Sequence, residues 1–330
     1  MHIRSTVIYP FILRMVALLL LLFSPITFAA ANTYPERPIS VIVPFAPGGN
    51  VDLSTRIVAK HMSETLGQSL VVENRAGAGG LIGYDVVARA KPDGYTIGSM
   101  AISSLVVTPK LNDRDELSLD AFSPVGAIGE TPMVLEVNVE SPFQSPQELF
   151  AQLKEQPESV SIGHSGIGTT GHVVILLLQD AMGVQFNVIP YKGGNPAVQD
   201  LMSSQVDAVV DQVSSSLPHI KADRLRALVV TSQERAADLP DVLTLHEAGA
   251  DGFHSTAITG LIAPAGMPTD IAQQLNSALN EALQDEQVQA QLRQLGSVTL
   301  PTTIEQFTEL LETEDARALD LMERNILVKN

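Results

Sequence analysis

The sequence predicts an α/β protein folded as two lobes around largely parallel sheets, on three observations. Short apolar, β-branched runs alternate with segments of helical period. Gly, Pro, Ser or Asn punctuates each run. Two extended stretches, 126–139 and 254–263, lack a helix on one side and lie far apart in the chain. Paired, they would cross between two α/β lobes and leave one lobe built from both chain ends. The expected division is residues 1–31 as a signal peptide, 32–130 plus 255–330 as lobe 1, and 131–254 as lobe 2.

Each element follows in order. Ile39–Pro44 is β-branched and apolar and is expected as the first strand. The loop Phe45-Ala46-Pro47-Gly48-Gly49-Asn50 follows, then a helix that should turn Leu53, Ile57 and Val58 inward. Further strands are expected at Leu70–Glu73, Tyr95–Gly98, Pro124–Ile128, Val160–Gly163, Phe186–Ile189, Val206–Val210 and Leu225–Val230. Ser145-Pro146-Gln147-Glu148 has the makings of a complete helix start, with a capping Ser, Pro at the first position and Glu reaching back. Thr302 and Glu305 predict a second capping box. Ile271, Leu275, Ala278, Leu279 and Ala282 fall at helical spacing and predict a mostly amphipathic helix over 270–295.

Composition narrows the function. The 330 residues are 45% hydrophobic and 17% charged, enough apolar side chain for a packed core. Against 20 Lys and Arg stand 37 Asp and Glu, for a net charge of −17. Such a chain lacks the clustered cations that nucleic acid requires. The absence of Cys excludes disulfides, thiolate metal sites, iron–sulfur clusters and Cys nucleophiles. At the N-terminus, Arg4 and Arg14 precede the apolar run from Met15 to Phe23, then Pro25 and the small residues Ala29, Ala30 and Ala31. This is the pattern of a cleaved secretory signal. The run is far shorter than the ~20 residues that span a bilayer, so a membrane-embedded protein is not expected.

One segment, Ser161 to His172, supports three chemistries. From Gly166 it spells G-x-G-x-x-G after a strand and before a helix, the dinucleotide context. The acid that should hold the ribose is missing: the next strand tip is Pro190-Tyr191-Lys192, which leaves only a 2′-phosphate, and so NADP, to be met by the lysine. Around Ser165 the segment approaches the nucleophile elbow G-x-S-x-G, but Ile167 stands where the final Gly belongs. Read most simply, small residues and hydroxyls at a helix N-terminus form an anion pocket, with Ser165, Gly168, Thr169 and Thr170 as donors. Ala46-Pro47-Gly48-Gly49 repeats the device at the first helix, and Ser99-Met100-Ala101 offers a third loop. Asp52 would complement the first helix dipole or orient a ligand. Asp211 stands at a strand end, where α/β sheets deliver ligands. The seven His show no metal-ligand spacing.

Several segments together resemble a known family. YPERPI (34–39) leads into VIVPFAPGGNVD (41–52). ENRAGAGGLIGYDVVARAKPDGYTIG (73–98), VIPYKGGNPAVQDLMSSQVDAVVDQ (188–212), RLRALVVTSQERAADLPDV (224–242) and GLIAPAGMP (260–268) follow in order. Together they are similar to Bug-type periplasmic substrate-binding proteins of tripartite tricarboxylate transporters. The resemblance implies a type II periplasmic-binding-protein fold: two lobes, two crossing strands and a cleft that closes on a small carboxylate. It implies that backbone amides, hydroxyls and ordered waters hold the ligand. The matching positions are Phe45, Ala46, Gly48, Gly49 and Asp52 in lobe 1, and Ser165, Gly168, Thr169, Thr170 and Asp211 in lobe 2. The chain departs from the family pattern at Asp223, usually Gly, at Leu243, usually Pro, and at Ile258, commonly aromatic.

The resulting expectation is a monomeric, non-enzymatic periplasmic protein that captures a small organic acid and delivers it to membrane permease subunits. No cofactor, metal or catalytic residue is expected. The alternatives are an exported enzyme, either a Ser165 hydrolase or an NADP-dependent oxidoreductase, and a sensor subunit that presents its liganded form to a signalling partner.

Overall fold

A computed structural model describes residues 34–253 and 255–329. The expected signal peptide and His254, the first residue of the second crossing stretch, lie outside the described residues. Among the described residues eight of ten strands form one hydrogen-bonded path, the other two pair with one of its members, and the whole divides into two sheets sharing that strand. In the first sheet, β1 (Ile39–Val43) lies between β2 (Leu70–Asn74) and β3 (Thr96–Ala101), parallel to both. In the second, β5 (Ser161–His164) lies between β6 (Asn187–Pro190) and β7 (Ala208–Gln212), again parallel to both.

β4 (Phe122–Asn138) joins the two sheets. Residues 122–132 pair with β9 (Thr256–Pro264), and residues 133–138 pair with β7 and with β8 (Leu225–Val230). All these pairings are antiparallel, as is that of β3 with β9, because the chain leaves lobe 1 on β4 and returns on β9. The outer strands thus meet the expectation of parallel sheets and the crossing strands do not. The expected strand Pro124–Ile128 lies within this one strand, as does the expected crossing stretch 126–139 except its last residue, Val139.

The helices cover the sheets. α1 (Asn50–Leu66), α2 (Leu81–Ala88) and α3 (Ile102–Leu111) follow the first three strands. α4 (Pro146–Glu155), α5 (Thr170–Met182), α6 (Gly194–Met202) and α7 (Val213–Lys221) belong to the second sheet. α8 (Thr269–Gln284), α9 (Glu286–Gln294) and α10 (Ile304–Glu323) follow the return crossing, and β10 (Val298–Thr299) pairs with β4. α8 packs on α1 and α10 on α3, so the C-terminal quarter completes the first lobe. Each lobe has its own core. Tyr84, Met100, Leu105, Phe122 and Phe307 are buried in the first, and Leu149, Leu153, Ile162, Ile175 and Leu178 in the second.

Three local expectations need correction. The stripe of Ile271, Leu275, Ala278, Leu279 and Ala282 is buried, but the 270–295 helix is two helices. Asp285 sits extended between them and accepts from Gln287 N–H and Val288 N–H, so a cap interrupts the apolar repeat. The last capping box is Thr303 with Gln306, one residue later than expected. Thr302 faces inward instead, where its Oγ1 accepts from Ala127 N–H and its carbonyl from Asn276. In α1, Val58 is buried, but Leu53 and Ile57 are only half-buried, and the first turns bury Asn50, Asp52, Ser54 and Thr55. A polar buried face at a helix start marks something other than core packing.

Candidate functional site

Five helices begin around one cavity between the lobes. Its enclosed space is only about 20 Å³, room for about one water, and it is lined by Phe45, Gly49, Asn50, Val51, Ala101, Ser165, Thr169, Thr170, Gly194 and Gln212. Gly49, Ala101, Thr169 and Gln212 are the residues just before α1, α3, α5 and α7, and Gly194 is the first residue of α6. None of these five helices has a side-chain cap. Of the other five, α4, α9 and α10 do have one. An uncapped first turn leaves N–H groups and the positive end of the helix dipole available to an anion. No ionisable side chain lines the cavity, so neutralising an anion would fall to backbone donors and hydroxyls.

The loop after β1 is held from behind. Asp52 is buried; its Oδ2 accepts Gly48 N–H at 2.9 Å, and its Oδ1 accepts from Arg56 and from Asn74 Nδ2. Burial acts to raise its pKa, but the Arg56, Gly48 and Asn74 donors outweigh burial and hold the carboxyl below its ordinary value. Asp52 therefore shapes the loop and does not line the cavity.

Across the cleft, Ser165 Oγ donates to Thr169 Oγ1 at 3.1 Å, and Thr169 Oγ1 donates to the Gly166 carbonyl at 2.6 Å. The His164 and His172 rings stack with centroids 4.9 Å apart. His164 Nδ1 lies 3.2 Å from Gly166 N, and His172 Nδ1 accepts Gly168 N–H at 3.2 Å. Burial depresses their pKa values to about 3 and about 4, so both are neutral near pH 7. Their Nδ1 atoms brace the loop backbone and neither serves Ser165 as a base, so the elbow chemistry lacks its second member. The fingerprint glycines also have other work. A β-carbon at Gly166 would press on Gly79 of the first lobe, and one at Gly171 on the Val210 carbonyl.

Of the sequence-derived candidates, Phe45, Gly49, Ala101, Ser165, Thr169 and Thr170 line the cavity. Ala46, Gly48 and Gly168 lie at the seam between lobes. Ala46 N–H donates to the Lys192 carbonyl at 3.4 Å, and β-carbons at Gly48 and Gly168 would meet Asn195 and Thr108. Ser99 does not reach the cavity: it belongs to β3, not to a loop, and its buried hydroxyl pairs with Thr55 Oγ1 at 2.6 Å. Asp211 is fully buried behind Gly194, within β7. Sequence reading missed Asn50, Val51, Gly194 and Gln212. The available signal was a helical period starting with no Ser, Thr, Asp or Asn cap, straight after a strand at Gln212-Val213 and after a three-residue loop at Gly193-Gly194.

Among the described residues no His, Cys, Asp and Glu cluster fits a metal ion, and no helix is long and apolar enough to cross a membrane. Residues 54–326 match the model of the tripartite tricarboxylate transporter family receptor. BugT of Bordetella pertussis is 36% identical over 291 residues, 87% of this chain and 89% of that protein. The solved periplasmic binding protein BugD is 34% identical with a TM-score of 0.85, covering 90% of this chain and 100% of that one. MatC from Rhodopseudomonas palustris with bound malate is 32% identical with a TM-score of 0.83, covering 87% and 99%. Another R. palustris protein, solved with adipate, is 30% identical with a TM-score of 0.81, covering 88% and 97%.

Proposed function

We propose that this chain, which belongs to the tripartite tricarboxylate transporter receptor family, captures a small di- or tricarboxylate in the cavity between its lobes and delivers it to the permease subunits of a transporter. The family consists of solute-binding proteins of type II-like two-lobed fold, not enzymes. The observation that carries the ligand class is the convergence of five uncapped helix N-termini, two from the first lobe and three from the second. Donors on opposite walls suit an acid with a carboxylate at each end, and the relatives solved with malate and adipate hold such acids. Phe45, Gly49, Asn50, Val51 and Ala101 would face one end, and Ser165, Thr169, Thr170, Gly194 and Gln212 the other.

A chain of net charge −17 repels anions at long range. Salt screens that field beyond about 8 Å, and amide donors in a closed cleft act at contact distance. We place the lobe boundaries near residues 131 and 254, where β4 changes partners and the chain returns to β9. Residues 1–31 would direct export to the periplasm and be removed there.

A thermal-shift and calorimetric screen of malate, adipate, citrate and their mono- and diamides tests the ligand class. An acid at 100 times its dissociation constant should stabilise the fold by ~2.7 kcal/mol, and each amide replacement should weaken binding. Stabilisation by the diamides but not the acids would overturn the reading.

A further inference from the structure

Behind the second-lobe wall of the cavity lies a pair of buried carboxyls that ligand capture does not use directly. Glu136 on β4 and Asp211 on β7 are both fully buried. Val134 pairs with Asp211 and Glu136 with Val209, so the two acids are diagonal neighbours on one sheet face. Among the described residues their hydroxyl donors come from the start of α7. Ser216 Oγ donates to Glu136 Oε1 at 2.6 Å, and Ser215 Oγ donates to Asp211 Oδ2. Glu136 Oε2, Asp211 Oδ1 and Ser214 Oγ are buried without a partner. Asp211 adjoins two cavity-lining residues. Gln212 follows it in the chain, and Gly194 lies so close that a β-carbon there would collide with the carboxylate.

We propose that ligand capture is linked to proton uptake at this pair: an organic dianion entering beside Gly194 and Gln212 drives a proton onto Asp211. The inference rests on the reading above that the cavity takes an organic acid. Its basis is electrostatic. A buried carboxylate whose donors are one serine hydroxyl and the Gln212 N–H still tolerates charge poorly, and a second anion beside Gly194 and Gln212 makes ionisation costlier. Burial already pushes Asp211 to about 6, and burial with the Asp211 charge pushes Glu136 to about 8.

Among the described residues no cation is paired with either acid; β8, which pairs with β4 beside Glu136, contributes Arg226, whose guanidinium is held by the Phe143 and Val139 carbonyls. β4 contributes only Glu136, and α6 contributes the Gly194 backbone and Asp200, which is occupied by Tyr191 Oη at 2.8 Å. α7 contributes three serines, with His219 and Lys221 in its last turn, Lys221 paired to Asp238. On β5, His164 belongs to the opposite face, where it packs beside Gly171 of α5. By linkage, the affinity for a dianion should fall as pH rises from the free-state pKa of Asp211 to its higher bound-state value, about tenfold per unit of difference.

The test is calorimetry of the full protein with malate and adipate between about pH 6.5 and 8.5, where both probe carboxylates are ionised. It is run in phosphate and in Tris, whose ionisation heats differ. The expected result is a buffer-dependent heat corresponding to net proton uptake. Affinity should weaken by about threefold to tenfold over that range, and infrared spectra should gain a protonated-carboxyl band on binding. Asp211→Asn should abolish the proton uptake, the new band and the pH slope. Should that variant fail to fold, Glu136→Gln removes the carboxyl that titrates near pH 8 and leaves Asp211 alone, so the slope should end at lower pH. Binding with no buffer dependence, or a slope untouched in the variant that folds, overturns the linkage and leaves the ligand class standing. Binding of neither probe nor any other organic acid overturns the ligand class, and the linkage with it.

Discussion

Thr170 Oγ1 donates to Ser103 Oγ at 3.2 Å, so the first residue of α5 in one lobe is tied to the first turn of α3 in the other. Two further links flank it: Asn195 Nδ2 to the Pro47 carbonyl at 3.2 Å, and Ala46 N–H to the Lys192 carbonyl. The lobes therefore meet through a few polar contacts around the cavity and through Ile167, Val173, Leu176 and Leu177, which pack against the first-lobe core, while β4 and β9 supply the covalent connection. Such an arrangement opens by hinge motion and is drawn closed by whatever bridges the two sets of donors. X-ray scattering should give a larger radius of gyration without ligand than with saturating acid. Identical curves for verified ligand-free and saturated protein would rule out the hinge.

Gly48 carries the second prediction. Its φ is +84°, and a β-carbon there would lie 3.1 Å from Asn195 Nδ2 in the opposite lobe. Gly48→Val should cost about 1–2 kcal/mol for the positive φ and weaken ligand binding at least about tenfold by holding the lobes apart. The added atoms meet Asn195 of the other lobe. Denaturant titration with calorimetry checks both effects, and an unaltered affinity would remove this seam from the closing mechanism.

Ser165 carries the third. Its hydroxyl donates to Thr169 but is free to rotate toward an anion in the cavity. Ser165→Ala should weaken acid binding by about tenfold, the scale of one hydrogen bond to a charged group, and should leave the fold intact. Ester or amide hydrolysis by the wild type that disappears in the variant would instead restore the nucleophile.

The buried acids set the pH dependence of stability. Burial raises the Asp211 pKa from 3.8 to about 6, and burial with the Asp211 charge raises that of Glu136 from 4.5 to about 8. The native state then binds more protons than the unfolded chain between those limits, so this contribution to stability declines as pH rises from about 4 to 8 and levels off above. Urea midpoints should fall from pH 5 to pH 8, and Glu136→Gln should flatten most of that decline. Equal slopes for the wild type and this variant would show that Glu136 ionises without penalty.

The sequence by itself determined the alternation of strand and helix, because β-branched runs and helical periods are local properties. It also determined the kind of loop that follows β1 and β5, because Gly48, Gly166 and Gly168 allow the positive φ and close backbone approach found there. The ordered segments 41–52, 73–98 and 188–212 pointed to the family, and the match of residues 54–326 agrees with them. Side-chain direction was not legible. Ser99 looked like a loop donor, yet β3 runs two residues past it and alternation turns its hydroxyl into the core beside Thr55. Asp211 looked like a ligand contact, yet the start of α6 covers it with Gly194. Asn50, Val51, Gly194 and Gln212 carry no distinctive chemistry in one dimension; they line the cavity because five helix starts converge there. Convergence depends on how β4 and β9 bring two sheets together over more than a hundred residues of separation, and no local pattern encodes a contact of that range. The Glu136–Asp211 pair has the same origin: two unremarkable acids become a coupled pair only when antiparallel pairing of β4 with β7 sets them on one dry face.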